Sequence, residues 1–248
     1  MSALPASTPR LHVDEPLAEG GAVALGRDQS HYLLNVLRLG PGEPVIVFNG
    51  RDGEWRAALS SAGRKQATLE LAAMLRPQPA PGDLHYLFAP LKSARLDYLA
   101  QKAVEMGASV LQPVLTRRTQ VSRLNLDRLR ANAVEAAEQC GILSLPEIRP
   151  ERRLEQALAA LEPERVLIFC DEDAPAAGPV ETLRAVREAR LALLIGPEGG
   201  FDESERRLLL AQPGVVRLSL GPRILRADTA AVAALAIVQS TLGDWAVR

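Results

Sequence analysis

Two copies of one join dominate the C-terminal quarter of the chain, each a short apolar run, an abrupt Gly/Pro loop and then a helix. The first run, Leu191–Ile195, has strand length and stops at Gly196-Pro197-Glu198-Gly199-Gly200. Asp202 then occupies a helix N-cap position, and Glu205 completes a capping pair three residues on. The second run, over 215–220, ends in Gly221-Pro222-Arg223. Asp228 and Thr229 then open a long Ala-rich apolar helix. Ligands in open α/β sheets sit just beyond the carboxyl ends of strands, so two such loops predict one shared site. Glycine lets backbone approach a ligand closely. Proline stiffens the loop and removes a donor. Bare amides and carbonyls are then left to read a flat polar group such as an adenine. Structural punctuation is the alternative reading of either loop taken alone.

The chain ahead of this segment changes character once. Strands are predicted over 10–13 and 22–25, and residues 1 to about 9, rich in Ser, Pro and Ala, read as frayed. Asp28 is placed to cap a helix running to Arg38, with Leu33, Leu34, Val36 and Leu37 on its buried side. Gly40-Pro41-Gly42 breaks it. Strands over 45–48 and 55–59 flank the turn Asn49-Gly50-Arg51-Asp52-Gly53, and another follows over 67–72, predicting a small barrel or sandwich. Three alternating prolines in Arg76-Pro77-Gln78-Pro79-Ala80-Pro81-Gly82 make a stiff connection. Beyond it, strands over 84–89, 110–115 and 166–169 alternate with helices over 94–106, from Asn125 to Cys140, and over 152–161 and 180–189, with Ser93 capping the first. That alternation predicts an α/β domain with a largely parallel sheet covered on both faces.

Composition excludes more than it proposes. The 248 residues carry a formal net charge of −1, so no global positive field advertises nucleic acid, although a local basic face is sufficient for binding. All basic residues but Lys65, Lys92 and Lys102 are arginine, which suits planar phosphate recognition and equally follows from genome composition. Cys140, Cys170, His12, His31 and His85 are scattered, so no metal site is expected. No apolar stretch nears spanning length and no signal-peptide core is present, which makes the cytoplasm the expected compartment. Dinucleotide, P-loop and nucleophile-elbow fingerprints are all missing. Glu198 is a candidate general base, or else a solvated carboxylate. Arg226 precedes a helix start, where the macrodipole disfavours a cation, and that placement marks it as a candidate anion holder rather than an ordinary surface arginine. Lys92, Arg95 and Lys102 can line one helix side as phosphate contacts, or form a solvated face.

Longer stretches carry a resemblance. HYLLNVLRLGPGEPVIVFNG at 31–50, LFAPLKSARLDYLAQKAVEMG at 87–107, EAAEQC at 135–140, IGPEGGF at 195–201 and LGPRILRADTAAVAAL at 220–235 stand in order along almost the whole chain. Together they resemble the bacterial 16S rRNA uridine-N3 methyltransferases of the RsmE type, in the SPOUT superfamily. The resemblance implies an N-terminal PUA-like β-barrel domain that helps to hold RNA; with the boundary at the proline-rich stretch it spans 1–76, ahead of a linker over 77–83. It implies a SPOUT methyltransferase domain over 84–248, a parallel-sheet α/β fold whose C-terminal end is threaded into a trefoil knot. S-adenosylmethionine would bind in the knot, and a homodimer would place its active sites near the interface. The implied partner is the 16S rRNA of the small ribosomal subunit, and the implied role is ribosome biogenesis.

Carried over residue by residue, Ile195, Gly196, Pro197, Glu198, Gly199 and Gly200 would form one wall of the cofactor site. Leu220, Gly221, Ile224, Leu225 and Arg226 would form the other, with Thr229 and Ala230 closing it. Phe169 and the residues through 172 would be a third edge. Two departures stand out. Ile142 follows Gly141 where the family often has Arg, a role Arg149 can take, and Asp228 replaces the usual Glu with a shorter reach. Uridine N3 must lose a proton before or during methylation, so a base or a cation that stabilises the uridinate is needed. Arg226 is the candidate cation and Glu138 the candidate base, or an orienting group. Arg10, Lys92, Arg95, Arg117 and Arg118 are candidate phosphate contacts. Three other readings stay open: a SPOUT methyltransferase of ribose 2′-OH, a non-catalytic rRNA-binding assembly factor, and a phosphate-binding hydrolase built on the glycine loop.

Overall fold

Alternating apolar residues in the N-terminal segment build one curled sheet. The computed structural model describes residues 5, 7–62, 66–121, 123–175, 177–187 and 190–246, so much of the stretch expected to fray, 1–4 and 6, lies outside the described residues. Its contacts divide the chain into two units, 1–80 with 137–145 and 81–136 with 146–248. In the first, β1 (Arg10–His12), β2 (Ala22–Ala24), β3 (Pro44–Phe48), β4 (Glu54–Ala62) and β5 (Ala67–Arg76) run in the order β1-β3-β4-β5-β2. The β1–β3 pair is parallel and the other pairs are antiparallel. Leu11, Val23, Val47, Trp55 and Leu69, one from each strand, meet in a single apolar cluster. The β3–β4 turn is fixed by its Asn side chain, whose Oδ1 accepts from the Arg51 and Asp52 amides at 3.0 and 2.8 Å.

The helix expected from Asp28 to Arg38 is shorter and changes type. α1 (Arg27–His31) has Gly26, not Asp28, as its N-cap, and continues as a π-helical turn, Tyr32–Val36. The Leu37 amide donates to the Tyr32 carbonyl, five residues back, at 2.9 Å. That wider turn rotates Val36 and Leu37 off the face that buries Leu33, so both are exposed rather than buried. Arg38 ends the segment at a φ of 58°.

In the second unit every strand pair is parallel. β6 (Leu84–Phe88), β7 (Val110–Leu115), β8 (Glu147–Ile148), β9 (Arg152–Arg153), β10 (Val166–Cys170), β11 (Leu191–Ile195) and β12 (Val216–Leu218) run β12-β10-β11-β6-β7-β8, with β9 also on β7. The helices are α2 (Ser93–Glu105), α3 (Leu126–Cys140, whose last four residues count with the first unit), α4 (Leu154–Ala159), α5 (Pro179–Arg184), α6 (Glu203–Leu210) and α7 (Ala227–Thr241). Successive strand residues serve opposite faces. Tyr86, Phe88, Ile168 and Leu193 join a cluster with Leu99 of α2, Leu183 of α5 and Leu235 of α7. Leu87, Phe169 and Leu194 join another with Leu158 of α4 and Leu209 of α6. Burial on both faces explains why these strands read as unbroken apolar runs.

Element ends differ where partners run out. β12 pairs only with β10, so residues 219–220 leave the ladder and enter the loop. The helix expected over 152–161 gives up its first two residues to β9, which pairs with β7. α5 closes at Arg184 through a tight turn from the Val186 amide to the Leu183 carbonyl; the expected end, Ala189, lies outside the described residues. α2 begins at Ser93 with Lys92 as N-cap, and the Ser93 side chain lies outside the described residues. Among the described residues no helix is long and apolar enough to cross a membrane.

Candidate functional site

Beyond the carboxyl ends of β10, β11 and β12 lies a cleft of about 800 Å³. Its walls are the two Gly/Pro loops, the acidic loop after β10, Arg95 from α2 and Arg206 from α6. Ile195, Gly196, Pro197, Glu198 and Gly200 line one wall. Leu220, Gly221, Ile224, Leu225 and Arg226 line the facing one, with Ala230 on α7 below them. Three of the sequence candidates stand back from the lining. Phe169 is fully buried, Thr229 lies outside on the first turn of α7, and Gly199 turns its carbonyl to Arg118 Nη1, which donates at 2.5 Å.

The first loop has its shape for local reasons. An added Cβ at Gly196 would stand 2.9 Å from two ring atoms of Phe201, whose ring meets Phe169 edge-on at 6.3 Å. Gly200 has a φ of +69° and its amide returns to the Pro197 carbonyl at 2.9 Å, so the chain doubles back there. α6 is then capped as expected: Asp202 Oδ1 accepts from the Glu205 amide at 2.8 Å, and Glu205 Oε2 accepts from the Asp202 amide at 3.0 Å. The buried Glu205 also accepts from the Arg117 amide at 2.7 Å, which ties the loop after β7 to α6. Hydrogen bonding to the Glu205 amide holds the Asp202 carboxyl below the usual carboxylate range.

An ion network that the sequence did not announce braces the acidic loop. Buried Asp171 accepts from Arg206 at 2.9 Å and from Arg217 at 2.7 Å, and Arg217 also donates to the Asp173 carbonyl. The partners lie 35 and 46 residues away, so no local pattern could reveal them. Arg206 lines the cleft, and its Nε is buried with no hydrogen-bond partner among the described residues. Burial, with Asp171 beside it, pushes the Cys170 thiol up to about 12, so it stays protonated.

The charged candidates separate. Arg226, the N-cap residue of α7, is exposed on the cleft wall, and its side chain has no ion pair or hydrogen bond among the described residues. Arg95 is paired with Glu198, and its Nε lies 3.8 Å from Asp228 Oδ2. Arg117 is largely exposed and 3.2 Å from Asp202, while Lys92 is exposed at the start of α2. Arg10 and Glu138 do not line the cleft. Arg10 pairs with Glu54, lies over the Phe48 ring at 5.0 Å and is only 14% exposed, all within the first unit. The Glu138 carboxylate accepts from the His12 amide at 2.9 Å in that same unit, and its carbonyl accepts from Arg10 Nε. Arg149 is bound to Glu147 at 2.8 Å. No group of His, Cys, Asp and Glu that could hold a metal occurs among the described residues.

Two family matches make a chain with this parallel sheet, this cleft of two Gly/Pro loops at its carboxyl edge and a separate curled β unit an RNA methyltransferase of the SPOUT class. Residues 78–239 match the RNA methyltransferase domain family, and residues 25–72 match the RNA methyltransferase PUA domain. The chain is 33% identical to the ribosomal RNA small subunit methyltransferase E of Synechocystis sp., over 89% of this chain and 73% of that one. It is 28% identical to the protein of that name from Rickettsia conorii, over 93% of this chain and 94% of the relative. The crystal structure of the Neisseria gonorrhoeae methyltransferase E, described as bound to S-adenosyl methionine, superposes with a TM-score of 0.84 at 28% identity, covering 94% of this chain and 97% of that one. This chain belongs to the ribosomal RNA small subunit methyltransferase E family.

Proposed function

We propose that this protein methylates N3 of one uridine in the 16S rRNA of the small ribosomal subunit, using S-adenosylmethionine, as a cytoplasmic homodimer with a knotted C-terminal end. The observation that carries the reading is the cleft itself, lined by both Gly/Pro loops in a chain similar throughout to the cofactor-bound Neisseria protein. Its volume of about 800 Å³ suits a ligand of nucleoside size. Arg206 Nε, with no hydrogen-bond partner among the described residues, leaves a donor for a polar ligand group, and Gly221, at a φ of +98° with open space where a Cβ would stand, leaves backbone bare.

When bound, the cofactor supplies a methyl group made electrophilic by its sulfonium, and the chain's own task is alignment and charge. The loops over 196–200 and 220–226 hold the donor at the edge of the sheet. Arg226, with no carboxylate partner among the described residues, faces the cleft and stabilises the anion that forms when uridine N3 loses its proton. Glu138 keeps an orienting role through the His12 amide, and the N3 proton passes to solvent as the uridinate forms. Arg117, Arg118 and Lys92 meet phosphates along the second unit, residues 1–76 add RNA contacts, and residues 77–83 act as the linker to the domain over 84–248. Ile224, 94% exposed on the cleft rim, supports a second copy covering that rim.

Titration calorimetry tests the cofactor. One S-adenosylmethionine per chain with no uptake of nucleoside triphosphate is expected, and the reverse preference would support a hydrolase instead. Arg226→Ala is expected to bind the cofactor and lose about a hundredfold in kcat. Light scattering of the eluted protein at dimer mass is the accompanying expectation.

A further inference from the structure

Arg95 was expected among the phosphate contacts, and its surroundings suit a different task. It stands on the first turn of α2, a helix whose Leu96, Leu99, Ala100 and Ala103 are buried in the core, so the base of the side chain is fixed. From there the guanidinium reaches two carboxylates, Glu198 on the cleft wall and Asp228 on the α7 turn whose neighbours Arg226, Ala227 and Ala230 line the facing side. Nη1 pairs with Glu198 in the loop after β11, and Nε lies 3.8 Å from Asp228 on the first turn of α7. On its other side the same loop is held by Arg118, through the Gly199 carbonyl.

We propose that Arg95 is a positioning residue, a clamp that joins the two walls of the cleft through Glu198 and Asp228 and so sets the affinity for S-adenosylmethionine. The proposal rests on reading the cleft as the cofactor site. The guanidinium is already engaged by two carboxylates, so an approaching phosphodiester does not meet an open arginine there. Without the guanidinium, the carboxylates of the loop after β11 and of the first turn of α7 repel, and the two elements part. The Asp228 contact is long because the side chain is short. One more methylene closes it, so Asp228→Glu tightens the clamp.

The test uses full-length protein, with cofactor affinity from titration calorimetry and KM for unmodified small subunits at two salt concentrations. Arg95→Gln is expected to weaken S-adenosylmethionine binding about threefold to tenfold, the range of two partly exposed ion pairs, and Glu198→Gln, which removes one of them, about twofold to fivefold. The double variant should weaken it no more than Arg95→Gln alone, and Asp228→Glu should tighten it about twofold. KM for subunits and its salt dependence should not move. Glu198→Gln alters an exposed loop, so it reads the clamp even where Arg95→Gln fails to fold. Unchanged cofactor affinity in both Gln variants, with a raised KM and a salt slope reduced by about one for Arg95→Gln, would overturn the clamp and restore a phosphate contact. Wild-type protein that binds no S-adenosylmethionine would overturn the cofactor reading instead, and the clamp with it.

Discussion

Gly196→Ala is the substitution that most sharply tests why the first loop is glycine-rich. Gly196 does not have a positive φ, so backbone strain is not the cost. The cost is steric: the new methyl would stand 2.9 Å from Cε2 and Cζ of Phe201, where carbon pairs prefer about 3.5–4.0 Å. The ring must retreat by about 0.6–1 Å to restore that spacing. It cannot do so freely, because it is set edge-on against the fully buried Phe169 and packs on the cluster that includes Leu194 and Leu209. Overpacking of this kind costs about 1–3 kcal/mol. Urea unfolding followed by fluorescence should show that loss, and calorimetry should show weaker cofactor binding because the loop leaves its position. In a Phe201→Leu background the same substitution should cost less by at least about 0.5 kcal/mol, since the obstructing ring atoms are gone. An equal cost in both backgrounds would refute the steric account.

Glu205→Ala strips the acceptor from the Arg117 and Asp202 amides together and should cost about 2–4 kcal/mol, while Glu205→Gln, which keeps one acceptor, should cost less; urea unfolding measures both, and a wild-type midpoint for the alanine variant would contradict the role given to this buried carboxylate. Burial, then the positive charges of Arg165 and Arg149, pushes the His85 imidazole below 6.5. The unfolded chain therefore binds the extra proton first, so this residue's contribution to stability falls as pH drops below 6.5 and is lost as pH falls through the folded value. An imidazole titration followed by NMR should give a midpoint below 6.5, and a midpoint at or above it would show the ring to be solvated.

The sequence disclosed what is local and periodic. β7 and β11 are where their apolar runs put them, and the Asp202–Glu205 pair caps α6 because a capping box is a four-residue signal. Asn125 likewise caps α3 through the Arg128 amide at 3.0 Å. Helix type was not legible at Tyr32–Val36, since an α and a π turn use the same residues and differ in hydrogen-bond partner. Nor was the place of residues 137–145 with the first unit, which depends on Glu138 meeting His12 across 126 residues. At the cleft the two loops were visible as glycines and prolines, but the ion pairs that hold them were not. Arg95 with Glu198 and Arg206 with Asp171 are long-range pairs, and a lone arginine looks the same in sequence whether it grips a phosphate or a neighbouring carboxylate. Arg226 differs from both in having no carboxylate partner among the described residues.

The most direct test of the central claim is methyl transfer from labelled S-adenosylmethionine to small ribosomal subunits that lack the modification, followed by nucleoside analysis of the 16S rRNA. Label recovered as N3-methyluridine is the predicted result. Label in a 2′-O-methyl nucleoside would keep the cofactor cleft and contradict the target, and no label from protein that binds the cofactor would contradict the assignment of this chain as the enzyme acting on that subunit.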